Sequence, residues 1–92
     1  MRAQETAGLS RDNVRAQLAD LLFEIAQIPR ERITETATID NDLQMQSIAF
    51  VELQVAIEEA YDIQIDPIRV VELNRFGAIV DYIHGCALGA GE

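Results

Sequence analysis

Ser47 lies where a polar stretch gives way to an apolar one, in the segment DLQMQSIAFVEL that runs from Asp42 to Leu53. The apolar spacing after this serine predicts a helix from Ser47 to about Tyr61. The simplest interpretation is that Ser47 caps the helix, a role for which serine is favoured. The alternative is a modified serine, because a phosphodiester there would lie against free backbone N–H groups and the positive helix end.

Two other chemistries fit the same segment poorly. A serine hydrolase needs a base, but the only histidine is His84, far along the chain, and no glycine-rich oxyanion loop precedes Ser47. A calcium loop starting at Asp40 would need glycine at its sixth position and glutamate at its twelfth, where Met45 and Val51 stand. We therefore predict no catalytic residue, no metal site and no enzyme activity.

Composition narrows the function classes. The chain has 92 residues and a net charge of −9, which predicts one small domain that repels nucleic acid and anionic membranes. All seven basic residues are arginine, so a P-loop lysine and a Schiff-base lysine are excluded. Cys86 is the only cysteine, and we interpret it as an incidental thiol. No signal peptide or membrane span is recognisable, so we expect a cytoplasmic protein without membrane insertion.

The first half of the chain predicts one helix and a long loop. Ser10 or Asp12 can cap a helix that runs to about Ala26 and is stopped by Pro29. Its apolar side follows helical spacing, with Phe23 outside it. These apolar positions are Val14, Leu18, Leu21, Leu22 and Ile25. A polar, β-branched stretch follows, and we expect its isolated apolar residues to hold it against the core. They are Ile33, Ile39 and Leu43.

The second half predicts three further helices. The segment DIQID ends the helix that starts at Ser47, and Asp66 then caps a short helix with Pro67 at its first position. Asn74 is predicted to cap the last helix, and Gly85 to end it. The buried side of that helix is predicted to consist of Phe76, Ile79, Val80 and Ile83. We thus expect an all-α, small four-helix bundle with three main helices and one short one. Residues 1–9 are predicted to be a flexible N-terminus, 10–85 the domain and 86–92 a flexible tail.

The helix after Ser47 has two apolar sides. One is predicted to face the core and consists of Phe50, Leu53, Ile57 and Tyr61. The other, named the spare strip here, consists of Ile48, Val51 and Val55 and is flanked by Glu52, Gln54, Glu58 and Glu59. A bundle helix seldom needs two apolar sides, so the spare strip either packs beneath the long loop or docks partner proteins.

The acidic residues favour the docking interpretation. No basic residue occurs between Arg32 and Arg69, although half of the sixteen acids lie there. They are Glu35, Asp40, Asp42, Glu52, Glu58, Glu59, Asp62 and Asp66. A solvated face is the usual meaning of such a run. Because these acids surround Ser47 and the spare strip in sequence, we interpret the run as an electrostatic recognition surface for partners with basic patches.

The segment DLQMQSIAFVEL resembles the signature of the acyl carrier protein family, in which a leucine-glycine pair, a variable residue and Asp-Ser-Leu precede Val-Glu-Leu. AIEEAYDIQID is similar to the family's acidic helix end and AIVDYIHG to its closing helix, so the resemblance covers about Asn13 to Gly85. It implies that Ser47 carries a covalent 4′-phosphopantetheine arm. It also implies that the arm holds acyl cargo as a thioester during fatty acid, polyketide or related biosynthesis.

The resemblance also implies partners. They are a phosphopantetheinyl transferase, an acyl-loading ligase or acyltransferase, and other biosynthetic enzymes that meet a monomeric carrier transiently. The residues expected at the docking surface are Ile48, Val51, Glu52, Val55, Glu58 and Glu59.

Four residues depart from the family pattern, one of them conservatively, since Ile48 replaces the leucine after the serine. Gln44 replaces the glycine, Gln46 replaces the acid before the serine, and Ala49 stands where fatty-acid-synthesis members often carry another acid. These changes favour a specialised, free-standing carrier. An aminoacyl, peptidyl or D-alanyl carrier is less favoured, because the double-glycine approach to the serine is absent. An acidic helical adaptor whose Ser47 is never modified is the alternative from a different functional class.

Overall fold

The computed structural model of the protein describes residues 10–43 and 47–88. Within them, four helices of seven or more residues form a small bundle, which confirms the predicted fold class. The helices are α1 (Arg11–Ala26), α2 (Ser47–Tyr61), α3 (Pro67–Leu73) and α4 (Phe76–Ala87). The predicted flexible N-terminus at 1–9 and most of the predicted tail lie outside the described residues.

Local signals define α1, as predicted. Ser10 is the N-cap, and its hydroxyl accepts a hydrogen bond from the backbone N–H of Asn13 at 3.2 Å. The helix ends at Ala26, three residues before Pro29. Gln27 ends it by adopting a left-handed conformation with φ of 59°, so the helix stops before the proline that was predicted to stop it. Phe23 is 46% exposed, as its place outside the apolar side predicted, and the guanidinium of Arg30 lies 4.7 Å from its ring centroid.

The core forms where α1 packs against α2 and α4, and α3 packs against α4. Its centre is aliphatic, and the side chains with the least exposure are Val14, Val80 and Ile83. The predicted inner side of α4 is confirmed, since Phe76, Ile79, Val80 and Ile83 are all buried. Val14, Leu18 and Leu22 of α1 are also buried, whereas Leu21 and Ile25 are partly buried at the edge of the core.

The long loop between α1 and α2 is more regular than the sequence suggested. It contains a short 3₁₀ turn at Arg30–Arg32 and a π-helical turn at Ile39–Leu43. Ile33 and Leu43 are buried and Ile39 is partly buried, so these residues hold the loop against the core, as predicted. Ala37, which the sequence did not single out, is also buried.

The start of α4 differs from the prediction. Asn74 does not cap it; Arg75 is the residue before the helix, and no side chain caps that end. Instead, the N–H groups of Phe76 and Gly77 donate to the carbonyls of Ala37 and Glu35, both at 2.8 Å. The loop backbone satisfies donors that a capping side chain would otherwise serve, so no side-chain cap is needed.

Asn74 instead joins α3 to the loop. It has a φ of 64°, a left-handed value that asparagine tolerates, and follows the last residue of α3. Its Oδ1 accepts a hydrogen bond from the N–H of Ile39 at 3.1 Å, and its Nδ2 donates to Asp40 at 3.3 Å. The sequence signal at Asn74 was therefore real, but it marks the end of α3 rather than the start of α4.

The predicted end of α4 at Gly85 is also wrong, because the helix continues through this glycine to Ala87. Gly85 remains helical, and Leu88 then closes the helix with its N–H directed to the carbonyl of His84. Cys86 is therefore helical and does not begin a loose tail. Within the described ranges, none of the helices is long and apolar enough to cross a membrane.

An ion cluster fastens the loop to α1 and α4. Both Arg11 and Arg15 donate to the Glu35 carboxylate, each with a contact at 2.8 Å, and Arg11 also pairs with Asp81. Arg11 further donates to the carbonyl of Gly77 at 3.2 Å. The hydrogen bond from Arg11 is the main reason that the pKa of Glu35 lies below its ordinary value; burial opposes this effect, and the hydrogen bond from Arg15 adds to it. We call these residues the loop clamp.

Candidate functional site

The structure places Ser47 at the first residue of α2, as predicted. The first turn of this helix carries no acidic residue. Its unpaired backbone N–H groups and its partial positive charge therefore face no carboxylate from that turn. Such a helix end suits an anionic group attached to its first residue.

The two apolar sides of α2 behave differently. Leu53 and Ile57 are buried in the core, while Phe50 and Tyr61 are partly buried beside them. Burial raises the pKa of Tyr61, whose hydroxyl donates to Oε1 of Gln17 at 2.6 Å. This confirms that the stripe predicted to face the core does so.

The spare strip is exposed. Ile48 is 73% exposed, Val51 56% and Val55 47%. The interpretation that the strip packs beneath the loop is therefore wrong, because burial of that kind would leave these side chains largely inaccessible. An exposed apolar strip of three side chains on one helix is a feature of protein-binding surfaces.

The acids beside the spare strip divide into two kinds. Glu52 and Glu59 are exposed. Glu58 is partly buried, and its Oε2 accepts a hydrogen bond from the N–H of Ile65 at 3.0 Å, so this carboxylate also supports the connection to α3. Among the described side chains, the ion pairs involve acids of α1, the loop and α4, and none involves an acid of α2. The negative charge of α2 is thus left uncompensated within the part of the chain described.

The other acids near Ser47 in sequence do not form a cation site. Asp42 accepts hydrogen bonds from the N–H of Thr38 at 2.9 Å and from its hydroxyl at 3.3 Å, and Asp40 accepts from Asn74. The carboxylates that made this segment resemble a calcium loop therefore form hydrogen bonds within the protein, and Asp42 stabilises the turn at Ile39–Leu43. In the described ranges, no group of three or more His, Cys, Asp or Glu side chains could hold a metal ion.

A small apolar cavity lies beneath α2. Its volume is about 30 Å³, enough for little more than one small group. It is lined by Leu18, Leu22, Ile39, Leu43, Phe50, Leu53, Gln54, Ile57, Ile65, Pro67, Val70, Phe76 and Ile79. The cavity therefore lies where all four helices and the loop meet. Part of its wall is formed by α2, the helix that begins at Ser47.

Two features of this region were missed. Gln54 was interpreted as a flank of the spare strip, but it also lines the cavity. Ile68 and Val71 on α3 are 67% and 57% exposed, and their spacing of three residues was a helical signal that the sequence analysis did not use. The short length of α3 concealed its apolar outer side.

Comparison with known proteins agrees with the geometry. The profile of the family described as "Phosphopantetheine attachment site" matches residues 16–83. The chain is 32% identical to the acyl carrier protein of Acidothermus cellulolyticus over 82 residues, which are 89% of this chain and 98% of that protein. It is 34% identical to the acyl carrier protein of Buchnera aphidicola subsp. Schizaphis graminum over 73 residues, 79% of this chain and 92% of the relative. It is 35% identical to the mitochondrial acyl carrier protein of Saccharomyces cerevisiae over 82 residues, 85% of this chain and 66% of that one.

Proposed function

Because the chain belongs to the acyl carrier protein family, we propose that Ser47 is the attachment site of its 4′-phosphopantetheine arm. Family membership makes the protein a carrier rather than a catalyst, with phosphopantetheine bound covalently. When bound, the arm supplies a terminal thiol that holds acyl groups as thioesters. Ser47 forms the phosphodiester by displacing 3′,5′-ADP from coenzyme A, and its hydroxyl proton passes to a base on the transferase.

The single observation that carries this proposal is the position of Ser47 at the first residue of α2, in a first turn without acids. A phosphodiester there gains from the helix dipole and from unpaired N–H groups. Exposed Ile48 beside it leaves apolar surface for a transferase to cover. The residues at this helix end therefore fit the group that the family carries.

We further propose that partners dock on α2 through the surface predicted from the sequence. The spare strip supplies apolar contact, and Glu52 and Glu59 supply uncompensated charge for basic patches. Glu58 contributes less than its neighbours, since its carboxylate already serves Ile65. The partners proposed are a phosphopantetheinyl transferase, a ligase or acyltransferase that loads the cargo, and the enzymes that use it.

The cargo is proposed to be an acyl intermediate of fatty acid, polyketide or related specialised biosynthesis, in a monomeric carrier of the cytoplasm. The neutral residues Gln46 and Ala49 support a specialised partner set; Gln46 lies outside the described residues. An aminoacyl, peptidyl or D-alanyl cargo remains an alternative. An unmodified adaptor is less well supported, because the family whose profile matches is defined by the attachment site.

The test is incubation of the apo-protein with coenzyme A and a broad-specificity transferase, followed by intact mass measurement. We expect the mass of one phosphopantetheine to be added to the wild type and none to Ser47→Ala. Ser10→Ala is the matched control, because it removes a helix-capping serine at a cost of about 1 kcal/mol but should leave the addition intact. Addition that persists in Ser47→Ala would overturn the assignment, and no addition to the wild type would favour the unmodified adaptor.

A further inference from the structure

The cavity beneath α2 is apolar, but it is too small for an acyl chain. Its volume is about 30 Å³, and the surface that lines it is hydrocarbon. A chain of several methylene groups therefore enters only if one part of the wall moves outward. The part that moves most readily is the one with the fewest buried contacts, because local stability varies across a structure in that way.

The wall formed by α3 has the least buried support. Val70 is the only buried residue of α3, whereas α1 has four buried residues and α4 has five. Ile68 and Val71 on its outer side are mostly exposed, so they add little packing. The loop clamp fastens the loop to α1 and α4, but no ion pair among the described side chains joins α3 to another element. We call residues 62–74 the α3 segment.

The two ends of the α3 segment are held differently. Asp62 and Asn74 both have positive φ, 54° and 64°, and lie at ends of helices, where a change of backbone direction is most easily absorbed. The end at Asn74 is fixed to the loop, because the N–H of Ile39 donates to its carbonyl at 2.9 Å and to its Oδ1 at 3.1 Å. Movement is therefore expected at the end that follows Asp62.

Two side chains hold that end against α2 and α4. Oε2 of Glu58 on α2 accepts a hydrogen bond from the N–H of Ile65, at 3.0 Å. The hydroxyl oxygen of Tyr82 on α4 accepts one from the N–H of Asp66, also at 3.0 Å. Because Ile65 and Pro67 line the cavity, these hydrogen bonds hold part of its wall. Outward movement of this end would enlarge the cavity and break both bonds.

We propose that an acyl chain enlarges the cavity by displacing this end of the α3 segment, and that Glu58 and Tyr82 are positioning residues that oppose the displacement. This inference rests on the proposed function at Ser47. An acetyl group leaves both hydrogen bonds intact, whereas an octanoyl chain breaks them. Glu58 thus has a role apart from docking, since its bond to Ile65 limits the length of chain that the protein holds inside.

The first measurement is amide hydrogen exchange in the protein loaded with acetyl or octanoyl. A broad-specificity transferase attaches arms that bear either group through a stable amide in place of the thioester. The amides of Ile65 and Asp66 should exchange about tenfold faster with octanoyl, because each loses the hydrogen bond that protects it. The amides of Phe76 and Gly77, which donate to the loop, should not change. Equal exchange of Ile65 with both cargoes, or faster exchange at Gly77 instead, would overturn the proposal.

The second measurement separates this role of Glu58 from a purely structural one. Glu58→Ala removes the hydrogen bond, so octanoyl no longer has to break it. The melting temperature of the octanoyl form, relative to the acetyl form, should therefore be about 5 °C higher in Glu58→Ala than in the wild type. Tyr82→Phe removes only the hydroxyl oxygen and should shift this difference in the same direction. A structural role alone would lower both loaded forms equally, and that result would contradict the proposal.

Two further variants control for charge. Glu58→Gln loses the charge but keeps a carbonyl oxygen that can accept from Ile65, so it should behave like the wild type. Glu59→Ala removes an exposed carboxylate from the same helix and should leave both measurements unchanged. An octanoyl effect in Glu59→Ala as large as that in Glu58→Ala would show that the charge of α2 causes it, and the proposal would fail.

Intact mass distinguishes failure of this inference from failure of the proposed function. Absence of any mass addition to the wild type would remove the proposed function at Ser47 and this inference with it. Complete addition of the octanoyl arm, with exchange of Ile65 unchanged, would remove this inference alone.

Discussion

Charged side chains are paired in the loop clamp but not on the outer face of α2, which carries the spare strip and the acids beside it. In the loop clamp, Arg11 and Arg15 converge on Glu35, and Arg11 also reaches Asp81, so acids and bases from distant parts of the chain are matched. On α2, the described residues provide no basic partner for the acids that flank the spare strip. Charges matched within the chain stabilise the fold, whereas unmatched charges beside exposed apolar groups are available to a partner.

The apolar residues show the same division. Around the loop clamp, Ile33 and Ala37 are buried beneath the backbone that meets α4. On the outer face of α2, Val51 and Val55 remain about half exposed, although they are aliphatic side chains like Ile33 and Ala37. Burial there would add stability, so their exposure is consistent with docking. The comparison predicts that mutations at one region alter folding and mutations at the other alter binding, with little overlap.

The largest effect is expected at Gly77 in the loop clamp. A Cβ at this position would lie 2.9 Å from the carbonyl oxygen of Glu35 and would collide with its carboxylate. Because the carbonyl belongs to the backbone that accepts from Gly77 itself, Gly77→Ala should lower the free energy of unfolding by about 2 kcal/mol. Urea unfolding of the variant and of the wild type measures this difference in free energy.

Gly85→Ala is the matched control, since it lies in the same helix and its added Cβ would meet no atom within 4 Å. Alanine is the better helix former, so this variant should gain about 0.5–1 kcal/mol. Equal stability changes for both glycines would show that close approach of the loop does not constrain α4. Transferase binding should be unchanged in the folded fraction of both variants.

This contrast also shows how far the sequence determines the fold. The bounds of α2, the Ser10 cap and the Asp66–Pro67 start of α3 follow from signals within a few residues, and the structure confirms them. The start of α4 did not follow, because its N–H groups are satisfied by carbonyls about forty residues earlier. Long-range backbone pairing leaves no local pattern, so sequence reasoning assigned Asn74 the wrong helix.

The same limit applies to the candidate site. The start of the helix at Ser47 and the exposure of the spare strip could be predicted, because helical periodicity places both. The cavity could not, because its lining comes from α1, α2, α3, α4 and the loop together. Gln54 looked like a surface residue beside the strip, and only packing showed that it also contacts the cavity.

The next effect concerns docking on α2. Val51→Ala with Val55→Ala should speed dissociation of the transferase by about tenfold. The two changes remove four methylene equivalents, each worth about 0.8 kcal/mol when buried, and only about half of this surface is exposed and available to a partner. Glu52→Arg should instead slow association several-fold at low salt, with a smaller effect as salt rises. Stopped-flow binding at several salt concentrations measures both rates.

Glu24→Arg on α1 is the matched control for charge, because it reverses an exposed glutamate outside the proposed surface. It should change the association rate less than Glu52→Arg does. If the two reversals slow association equally, net charge rather than the face of α2 guides the partner, and the docking surface is misplaced.

A smaller effect is expected from acid at the loop clamp. The pKa of Glu35 is lowered from an ordinary value of 4.5 by its hydrogen bonds with Arg11, so its contribution to stability is complete above that value. It is lost as pH falls through the lower pKa of the folded protein. Since the side chains are partly exposed, the contribution is about 1 kcal/mol or less.

The measurement is urea unfolding of the wild type and Glu35→Gln at pH 7 and pH 3. The difference in free energy should be greatest at pH 7 and should shrink at pH 3. Glu24→Gln provides the control, because it removes a charge without removing an ion pair among the described residues. A difference for Glu35→Gln that is the same at both pH values would show that packing, not the ion pair, causes it.

The smallest effect concerns partner choice at Gln46 and Ala49. General fatty-acid carriers tend to have acids at these two places, so an enzyme adapted to them leaves its own cations unpaired on this chain. Each ion pair at the edge of an interface is worth only about 0.2–1 kcal/mol, so we expect a modest gain from two of them. Gln46→Asp with Ala49→Asp should therefore raise the specificity constant of a housekeeping malonyl transferase by about two- to five-fold. A dedicated loading enzyme should gain nothing from the same change. Efficient loading of the wild type by the housekeeping enzyme, with no gain in the double variant, would show that α2 recognises partners without these two residues and that the carrier serves general fatty acid synthesis.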